Sequence, residues 1–391
     1  MIRAGVGHSL NTSGSEAAKQ ATTTAMGKAK LAKADLAFVF ATADYQSEYT
    51  QLCEEVQKIS GCDHLIGCSG MGVLTSDGEF EGQSVVAVLV MRSDQLSALS
   101  FCVSEDGVSP IGTTIRNQIR PELRENSLLV VLPDVRCVQP AELVQQIGGS
   151  GDVLPIVGGA ASGDPMSGQM HQWCGTEITE SSVAGVLLTG DFHAEIGVAQ
   201  GCQPIGSPVE ITRAEDNLIL ELDGAAAVEV LQESLALLTE EDIQRSGRMI
   251  FIGIAMDTSN RAPKPGDYLI RNITGIDPQN SAIGVAERIE TGQIVQFHLR
   301  NPFAASEDIH AIVNRLHEKA QAHPPAFGLY FNCLGRGAGL YGEPNHDIQI
   351  IKEKFPDLPI IGFFGNAEFA PIGNRNFAHA YTGALVLCSE T

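Results

Sequence analysis

The chain has 391 residues, of which 43% are hydrophobic and 18% are charged, a balance that excludes intrinsic disorder and is typical of a soluble globular protein. Its 25 basic and 47 acidic residues give a net charge of −22, which argues against a nucleic-acid partner. No apolar run approaches the ~20 residues that span a bilayer, and the polar N-terminal segment 1–16 lacks the apolar core of a signal peptide. We therefore expect no membrane insertion.

The elements predicted before residue 200 begin with a helix over 13–33 and then follow the order strand–helix–strand–strand twice. Apolar residues at helical or alternating spacing define them. The two copies are predicted at 36–41, 49–59, 65–70 and 85–90, and at 128–132, 140–147, 156–159 and 183–188. Further elements are predicted at 96–103 (strand), 111–123 (helix) and 194–200 (strand).

After residue 200 the pattern changes and then returns. A hairpin is predicted over 209–222, followed by a helix over 228–238 and a strand over 249–256 that resembles a degraded copy of the repeat. The remaining predicted elements are strands at 268–273, 283–289 and 294–299, a helix at 309–316, a strand at 327–333, a helix at 348–355, and strands at 360–365 and 382–387.

One short pattern occurs three times: an apolar strand ends in glycine, opens into a loop of small or polar residues, and is followed by an apolar return strand. The three loops lie at 67–70, 158–163 and 362–366. Glycine at a strand end permits a tight turn or a close approach of a ligand to the backbone. We therefore expect repeated units whose glycine loops gather around one binding site.

The predicted fold class is α+β. Repeated β-α-β-β units would form mostly antiparallel sheets covered by helices, in a sandwich-like arrangement with two pseudo-related halves. A barrel is the alternative.

These motifs resemble the FIST family of bacterial signal-transduction proteins. The resemblance rests on Ile66-Gly67-Cys68-Ser69-Gly70, on Cys333-Leu334-Gly335-Arg336-Gly337 and on the run 361–368, supported by 268–272 and 292–295. It covers the chain from about residue 36 to 387. It implies a FIST N-like domain at 1–222 with two repeat units and a FIST C-like domain at 223–391 with one clear and one degraded unit.

The resemblance further implies a cytoplasmic sensor that binds a small ligand, an amino acid or a small carboxylate, and signals through an unidentified effector protein. No cofactor is implied, and a homo-oligomer is left open. The predicted ligand-binding residues lie in the glycine loops and at nearby strand ends: Gly67, Cys68, Ser69, Gly70, Gly159, Ser162, Arg271, Asn332, Cys333, Arg336, Asn366 and Glu368.

The predicted roles follow from side-chain chemistry. The planar guanidinium of Arg336 matches a carboxylate in two-pronged fashion, unless it forms an internal salt bridge with Glu343 or Glu368. Arg271 is a second candidate for this role. Glu368 would bind an amino group, and the amides of Asn332 and Asn366 would donate and accept hydrogen bonds.

Catalytic and metal sites have weaker support. Nine cysteines without a C-x-x-C spacing favour reduced thiols in a cytoplasm. Cys68 or Cys333 would need exposure and a lowered pKa to act as a nucleophile, and an inert buried thiol is the favoured interpretation of both. A cysteine-dependent enzyme and a protein-interaction platform remain as alternatives to the sensor, and no metal site is expected.

Overall fold

The structure is a computed structural model that describes residues 1–105, 107–148, 154–163, 168–241, 249–257 and 259–391. The chain divides into two compact units. The first unit contains 1–198, 309–378 and 382–391, and the second contains 199–308 and 379–381. The domain boundary expected from sequence after residue 222 stays a prediction.

The strands of the described chain are β1 (Arg3–Ser9), β2 (Leu36–Thr42), β3 (His64–Gly70), β4 (Gly72–Thr75), β5 (Gly78–Glu81), β6 (Val86–Arg92), β7 (Leu96–Ser104), β8 (Ser127–Pro133), β9 (Ile156–Gly159), β10 (Gln172–Cys174), β11 (Glu177–Thr179), β12 (Ser182–Gly190), β13 (Phe192–Gln200), β14 (Cys202–Glu215), β15 (Leu218–Leu222), β16 (Ala225–Ala226), β17 (Ile250–Ala255), β18 (Tyr268–Asp277), β19 (Ala282–Val285), β20 (Ile294–Arg300), β21 (Pro325–Cys333), β22 (Ile360–Gly365), β23 (Glu368–Ile372), β24 (Arg375–His379) and β25 (Thr382–Glu390). The helices are α1 (Gly14–Ala29), α2 (Tyr49–Ser60), α3 (Ile111–Ile119), α4 (Pro140–Gly148), α5 (Ala227–Leu235), α6 (Pro302–Ala320), α7 (Ala338–Tyr341) and α8 (His346–Lys354). Short 3-10 helices lie at Ala43–Glu48 and Arg120–Glu122.

The first unit is built on three six-stranded sheets. Their strand orders are β1-β6-β2-β3-β10-β11, β24-β23-β9-β8-β12-β7 and β13-β25-β21-β22-β4-β5. The inner faces of the three sheets share one apolar core, in which Phe38, Val130 and Phe363 are fully buried. The predicted α+β class is confirmed.

Each sheet contains one copy of the β-α-β-β unit. The first strand of a copy pairs in parallel with its glycine-ended strand, as in β2–β3, β8–β9 and β21–β22. The same first strand pairs antiparallel with the return strand, as in β2–β6, β8–β12 and β21–β25. Parallel neighbours need a crossover, and α2, α4 and α8 supply it. The repeat predicted from the glycine-ended strands is therefore confirmed.

Strands distant in sequence complete these sheets, and two of the pairings bear on the glycine loops. The hairpin β4–β5 joins the third sheet because β4 pairs antiparallel with β22, with Val73 opposite Phe363. In the second sheet β23 pairs antiparallel with β9, which places Glu368 opposite Gly159. The hairpin near residue 80 and the glycine loop near residue 365 therefore pack together in the first unit.

The second unit is a small barrel. Strands β14, β20, β17, β18, β19 and β15 pair in that order, and β15 also pairs with β14, which closes the sheet. Its core contains Ile219, Ile252 and Val295. The strand that resembled a degraded repeat is β17, and both of its neighbours are antiparallel.

Among the described helices, none combines the length and the apolar character that crossing a bilayer would require.

Candidate functional site

The three glycine loops meet in the first unit and are joined by hydrogen bonds. Ser69 Oγ donates to the carbonyl oxygen of Ser162 at 2.7 Å, and Ser162 Oγ donates to the carbonyl oxygen of Phe364 at 2.5 Å. The backbone N–H of Met71 donates to Ser162 Oγ at 2.8 Å. Asn366 Nδ2 donates to the carbonyl oxygen of Ala161 at 2.7 Å. Ser162 thus links all three loops.

The glycines of these loops allow close packing. A Cβ on Gly67 would overlap the carbonyl oxygen of Val39 and the indole nitrogen of Trp173. A Cβ on Gly159 would press on the ring of Phe363, and a Cβ on Gly70 would approach the same side chain. The loops therefore contact one another and the aromatic core.

A group of buried polar side chains lies in the same unit, at the end of β21 and beside the hairpin β4–β5. We call it the Arg336 cluster, and its members are Glu79, Tyr330, Asn332, Cys333, Arg336, Tyr341, Asp347, Glu368 and Thr382. Three predicted site residues beside Arg336 belong to it: Asn332, Cys333 and Glu368. Seven others lie in or beside the joined loops: Gly67, Cys68, Ser69, Gly70, Gly159, Ser162 and Asn366.

The local backbone explains why Arg336 faces inward. Strand β21 ends at Cys333, and Arg336 N–H donates to the carbonyl oxygen of Cys333 in a tight turn. Gly337 follows with a φ of 63°, and a Cβ there would collide with the Glu81 carboxyl group. Asn345, with a φ of 66°, precedes α8 and places Asp347 in its first turn.

Arg336 and Asp347 form a two-pronged buried ion pair. Arg336 Nε donates to Asp347 Oδ2 at 3.0 Å, and Nη2 donates to Oδ1 at 3.1 Å, with side chains 1% and 0% exposed. The Tyr330 hydroxyl and Asn332 Nδ2 also donate to Asp347 Oδ2, at 2.8 and 3.2 Å. The carboxylate is well satisfied, as a buried charge requires.

The pair holds both groups in their charged forms. Burial alone would raise the pKa of Asp347, but the Arg336 charge and the hydrogen bonds to Asp347 outweigh burial and lower that pKa. The Arg336 side chain is buried, and it forms an internal salt bridge, the alternative considered from sequence. Its salt-bridge partner is Asp347, whereas the partners considered from sequence were Glu343 and Glu368; Glu343 instead pairs with His346.

Three polar atoms of the cluster are buried without a hydrogen-bond partner among the described residues. They are Arg336 Nη1, Glu79 Oε2 and Glu368 Oε1. Glu79 is 5% exposed and Glu368 is 0% exposed. Buried polar groups in folded proteins are nearly always paired, so three unpaired atoms in one cluster require an explanation.

Burial also keeps the two carboxyl groups largely protonated at neutral pH. It raises the pKa of Glu368 to about 8, although hydrogen bonds from Thr382 and the nearby Cys333 thiol oppose the shift. Burial, followed by the negative charge of Asp347, raises the pKa of Glu79 to about 8. Arg336 neutralises neither carboxyl group, because its Nε and Nη2 donate to Asp347.

The raised pKa of Glu368 makes a prediction about stability. Because the folded pKa lies above the ordinary glutamate value of 4.5, the protonated group stabilises the fold at low pH, and this contribution is lost as pH rises through about 8. For this group we expect the free energy of unfolding to fall by on the order of 2 kcal/mol from pH 6 to pH 9. In the Glu368→Gln variant this loss of stability between pH 6 and pH 9 should be absent, as measured by urea unfolding at both pH values.

An exposed substitution, Glu54→Gln, serves as the control and should keep the wild-type pH dependence. If Glu368→Gln also keeps the full pH dependence, the Glu368 carboxyl group is not protonated in the folded protein.

The two cysteines at strand ends differ in their surroundings. Cys68 is fully buried, and burial raises the pKa of its thiol well above the ordinary value. Cys333 is 7% exposed and lies beside the Glu368 carboxyl group. Neither has the exposure that a nucleophilic thiolate needs.

Arg271 belongs to the second unit, so the structure does not place it in the Arg336 cluster. Its Nε donates to Glu287 Oε2 at 2.9 Å, and its Nη1 donates to the carbonyl oxygen of Ile270. The side chain is 11% exposed. Its observed role is structural pairing inside the barrel unit.

Sequence reasoning missed Asp347 and Glu79. Asp347 carried a usable signal, since it is an acidic residue directly before the helix predicted at 348–355 and follows Arg336 by 11 positions. Glu79 carried none, because it lies more than 250 residues from Arg336 and reaches it only through the pairing of β4 with β22.

Two surface cavities occur elsewhere in the described residues. One of about 600 Å³ lies on the barrel unit, beside Leu218, Ile276 and Gly284. One of about 420 Å³ lies in the first unit, at the start of α3 and beside Cys137. No predicted site residue lines either cavity. The described residues contain no group of three or more side chains suited to hold a metal ion.

Two family models match successive parts of the chain. The model of the FIST N domain matches residues 35–225, and the model of the FIST C domain matches residues 227–371. FIST domains are associated with sensing and signal transduction.

Two mycobacterial relatives match over nearly their whole length. The uncharacterized protein Rv0628c of Mycobacterium tuberculosis is 29% identical over 386 residues, 99% of each chain. The uncharacterized protein Mb0898c of Mycobacterium bovis is 28% identical over 389 residues, 99% of this chain and 98% of its own. An uncharacterized protein of Methanocaldococcus jannaschii, MJ1623, is 22% identical over 54% of this chain and 43% of its own. With both domain models matched in order along nearly the whole sequence, the chain belongs to the FIST family.

Proposed function

We propose that this protein is a cytoplasmic sensor that binds a small ligand at the Arg336 cluster. The observation that carries the proposal is the set of three buried, unpartnered polar atoms, Arg336 Nη1, Glu79 Oε2 and Glu368 Oε1. A bound molecule that pairs with them would recover the free energy that their burial costs, about 1–3 kcal/mol for each group.

The ligand is an amino acid or a small carboxylate. Arg336 Nη1 is a charged donor suited to a carboxylate oxygen, and Glu368 Oε1 is an acceptor suited to an amino group. Asn332 contributes indirectly, because its side chain fixes Asp347 and its Oδ1 accepts from Cys333 N–H. The hydrogen-bonded glycine loops, which contain Ser69, Ser162 and Asn366, lie in the same unit as this site.

Signalling requires that binding changes the molecule. Apart from the half-buried Tyr341, the cluster members are almost fully buried, so a ligand reaches the unpartnered atoms only when the surrounding elements open. A ligand that binds the open and closed forms with different affinity shifts their populations, which an unidentified effector protein could read. Nine free cysteines support the proposed reducing compartment.

A thermal-shift experiment with single amino acids and small carboxylates at millimolar concentration tests the proposal. A ligand at a hundred times its Kd stabilises the folded state by ~2.7 kcal/mol, so a true ligand should raise Tm by several degrees. The rise should be smaller in Glu368→Gln and unchanged in Glu54→Gln. If no compound raises Tm, the ligand-binding proposal fails.

A protein-interaction platform is the second candidate. It is favoured by the direct packing of the three loops and by the lack of cluster residues in either described cavity. Under this function a purified complex with a protein partner forms without any small molecule, and the compounds of the thermal-shift panel leave Tm unchanged.

A further inference from the structure

The charge balance of the Arg336 cluster favours a positively charged guest. Arg336 is a single cation, and its two-pronged pairing with Asp347 neutralises it. Glu79 and Glu368 then remain, each with one oxygen that is buried and unpartnered. Once these two groups ionise, the cluster carries an excess of negative charge.

Arg336 has little capacity left for an anionic ligand. Its Nε and Nη2 donate to Asp347, and Nη2 also donates to the Tyr341 hydroxyl at 2.6 Å. A two-pronged contact with a ligand carboxylate needs two parallel N–H groups on one edge of the guanidinium. Nη1 is the one nitrogen of Arg336 without a partner among the described residues, so a ligand carboxylate would find a single available nitrogen and not a two-pronged edge.

Glu79 is held in place for such a role. Its Oε1 accepts from the backbone N–H of Ile348 at 2.9 Å, at the start of α8, while its own backbone N–H donates to Asn345 Oδ1 at 2.6 Å. Capping the helix occupies one carboxyl oxygen, and Oε2 remains buried without a partner. The Glu79 side chain is therefore fixed in orientation, and its Oε2 can accept a hydrogen bond from a ligand.

We propose that the group the site requires is a primary ammonium, held by Glu79 Oε2 and Glu368 Oε1, and that a carboxylate on the ligand is dispensable. This inference rests on the proposed function, keeps its amino acids as ligands, and replaces its small carboxylates by organic amines as the ligand class. Amino acids then bind through their ammonium group, and amines without a carboxylate bind as well.

Binding would release protons. The groups that face Glu79 are Asp347, Glu81 and Arg336, and those that face Glu368 are Thr382, Cys333 and Arg336. At pH 7 each of the two carboxyl groups holds its proton for most of the time, because burial opposes the charged form. When the ammonium arrives, each carboxyl group that pairs with it gives its proton to solvent and becomes the carboxylate partner.

Isothermal titration calorimetry on the full chain tests this inference with three probes of one carbon length: n-butylamine, sodium butyrate and 2-aminobutyrate. Titration at pH 7 in two buffers of different ionisation enthalpy counts the protons released. We expect n-butylamine and 2-aminobutyrate to bind with release of one to two protons, and butyrate not to bind. The affinity for n-butylamine should rise about tenfold per pH unit below pH 8 for each proton released.

The variants separate the two carboxyl groups. Glu79→Gln keeps the oxygen that caps α8 and should reduce amine affinity at least tenfold while releasing one proton fewer. Asp77→Asn is the matched control, since this carboxylate lies at the turn of the same hairpin and pairs with exposed Lys28. It should bind n-butylamine as the wild type does. Thermal unfolding of both variants checks that they fold, and Glu368→Gln provides a second measure.

The outcomes distinguish this inference from the proposed function. If butyrate binds, or 2-aminobutyrate binds while n-butylamine does not, the ligand needs its carboxylate; the amine inference is then overturned and the sensor remains. Amine binding without proton release, or unchanged in Glu79→Gln, also overturns the inference. If none of the probes binds and the wider thermal-shift panel is negative, the ligand-binding function itself fails.

Discussion

Asp347→Ala should lower the free energy of unfolding by about 3–5 kcal/mol, because it leaves the Arg336 guanidinium charged and buried without its partner. Asp347 also accepts hydrogen bonds from Tyr330 and Asn332, so the substitution leaves further donors unpaired. Chemical unfolding of the variant at neutral pH measures the effect.

Replacing both partners together separates the contribution of the Arg336–Asp347 ion pair from the cost of leaving one charge buried without its partner. Arg336→Met combined with Asp347→Leu removes both charges, and replacing a buried ion pair by apolar residues is often nearly neutral. The double variant should therefore be more stable than Asp347→Ala alone. If it is less stable, the ion pair contributes net stability beyond the cost of the charge it leaves behind.

Gly67→Ala should abolish the native packing of the first glycine loop and destabilise the protein by more than about 4 kcal/mol. The new Cβ would overlap the backbone carbonyl of Val39 on the neighbouring strand and the indole nitrogen of Trp173. Trp173 Nε1 donates to that same carbonyl oxygen at 3.1 Å, so the hydrogen bond is lost as well. Yield of folded protein and Tm are the measurements.

Gly27→Ala is the matched control, because nothing lies within 4 Å of a Cβ at this helical position. Alanine is the better helix former by about 1 kcal/mol, so this variant should be slightly more stable than the wild type. A Gly67→Ala protein with wild-type Tm would show that the two strands can separate at that point without cost.

The repeated unit could be predicted from sequence because its signal is local. Apolar strands such as 65–70 and 360–365 end in glycine, and the helices before them have apolar residues at helical spacing. The parallel pairing of β2 with β3 follows from the helix between them. A barrel was considered only as an alternative for the fold as a whole, and the sequence did not assign one to the second unit, because antiparallel strands have the same sequence pattern in an open sheet and in a closed barrel.

The candidate site was predicted in part. Arg336, Asn332 and Glu368 stood out because charged or amide groups occurred beside glycines at strand ends, and they lie together in the Arg336 cluster. Arg271 stood out on similar grounds, yet it lies in the other unit and pairs with Glu287. A strand-end arginine has the same sequence signature in both surroundings, so spacing alone does not separate them.

By itself, the sequence determined the α+β class, the β-α-β-β unit and the places where its strands end, since these depend on residues within one unit. Only the tertiary structure decided that Ser162 joins the three loops, that Asp347 neutralises Arg336, and that Glu79 reaches the same cluster. The physical reason is that burial, desolvation and ion pairing depend on which strands become neighbours. The pairing of β4 with β22 is set by packing across nearly three hundred residues of chain.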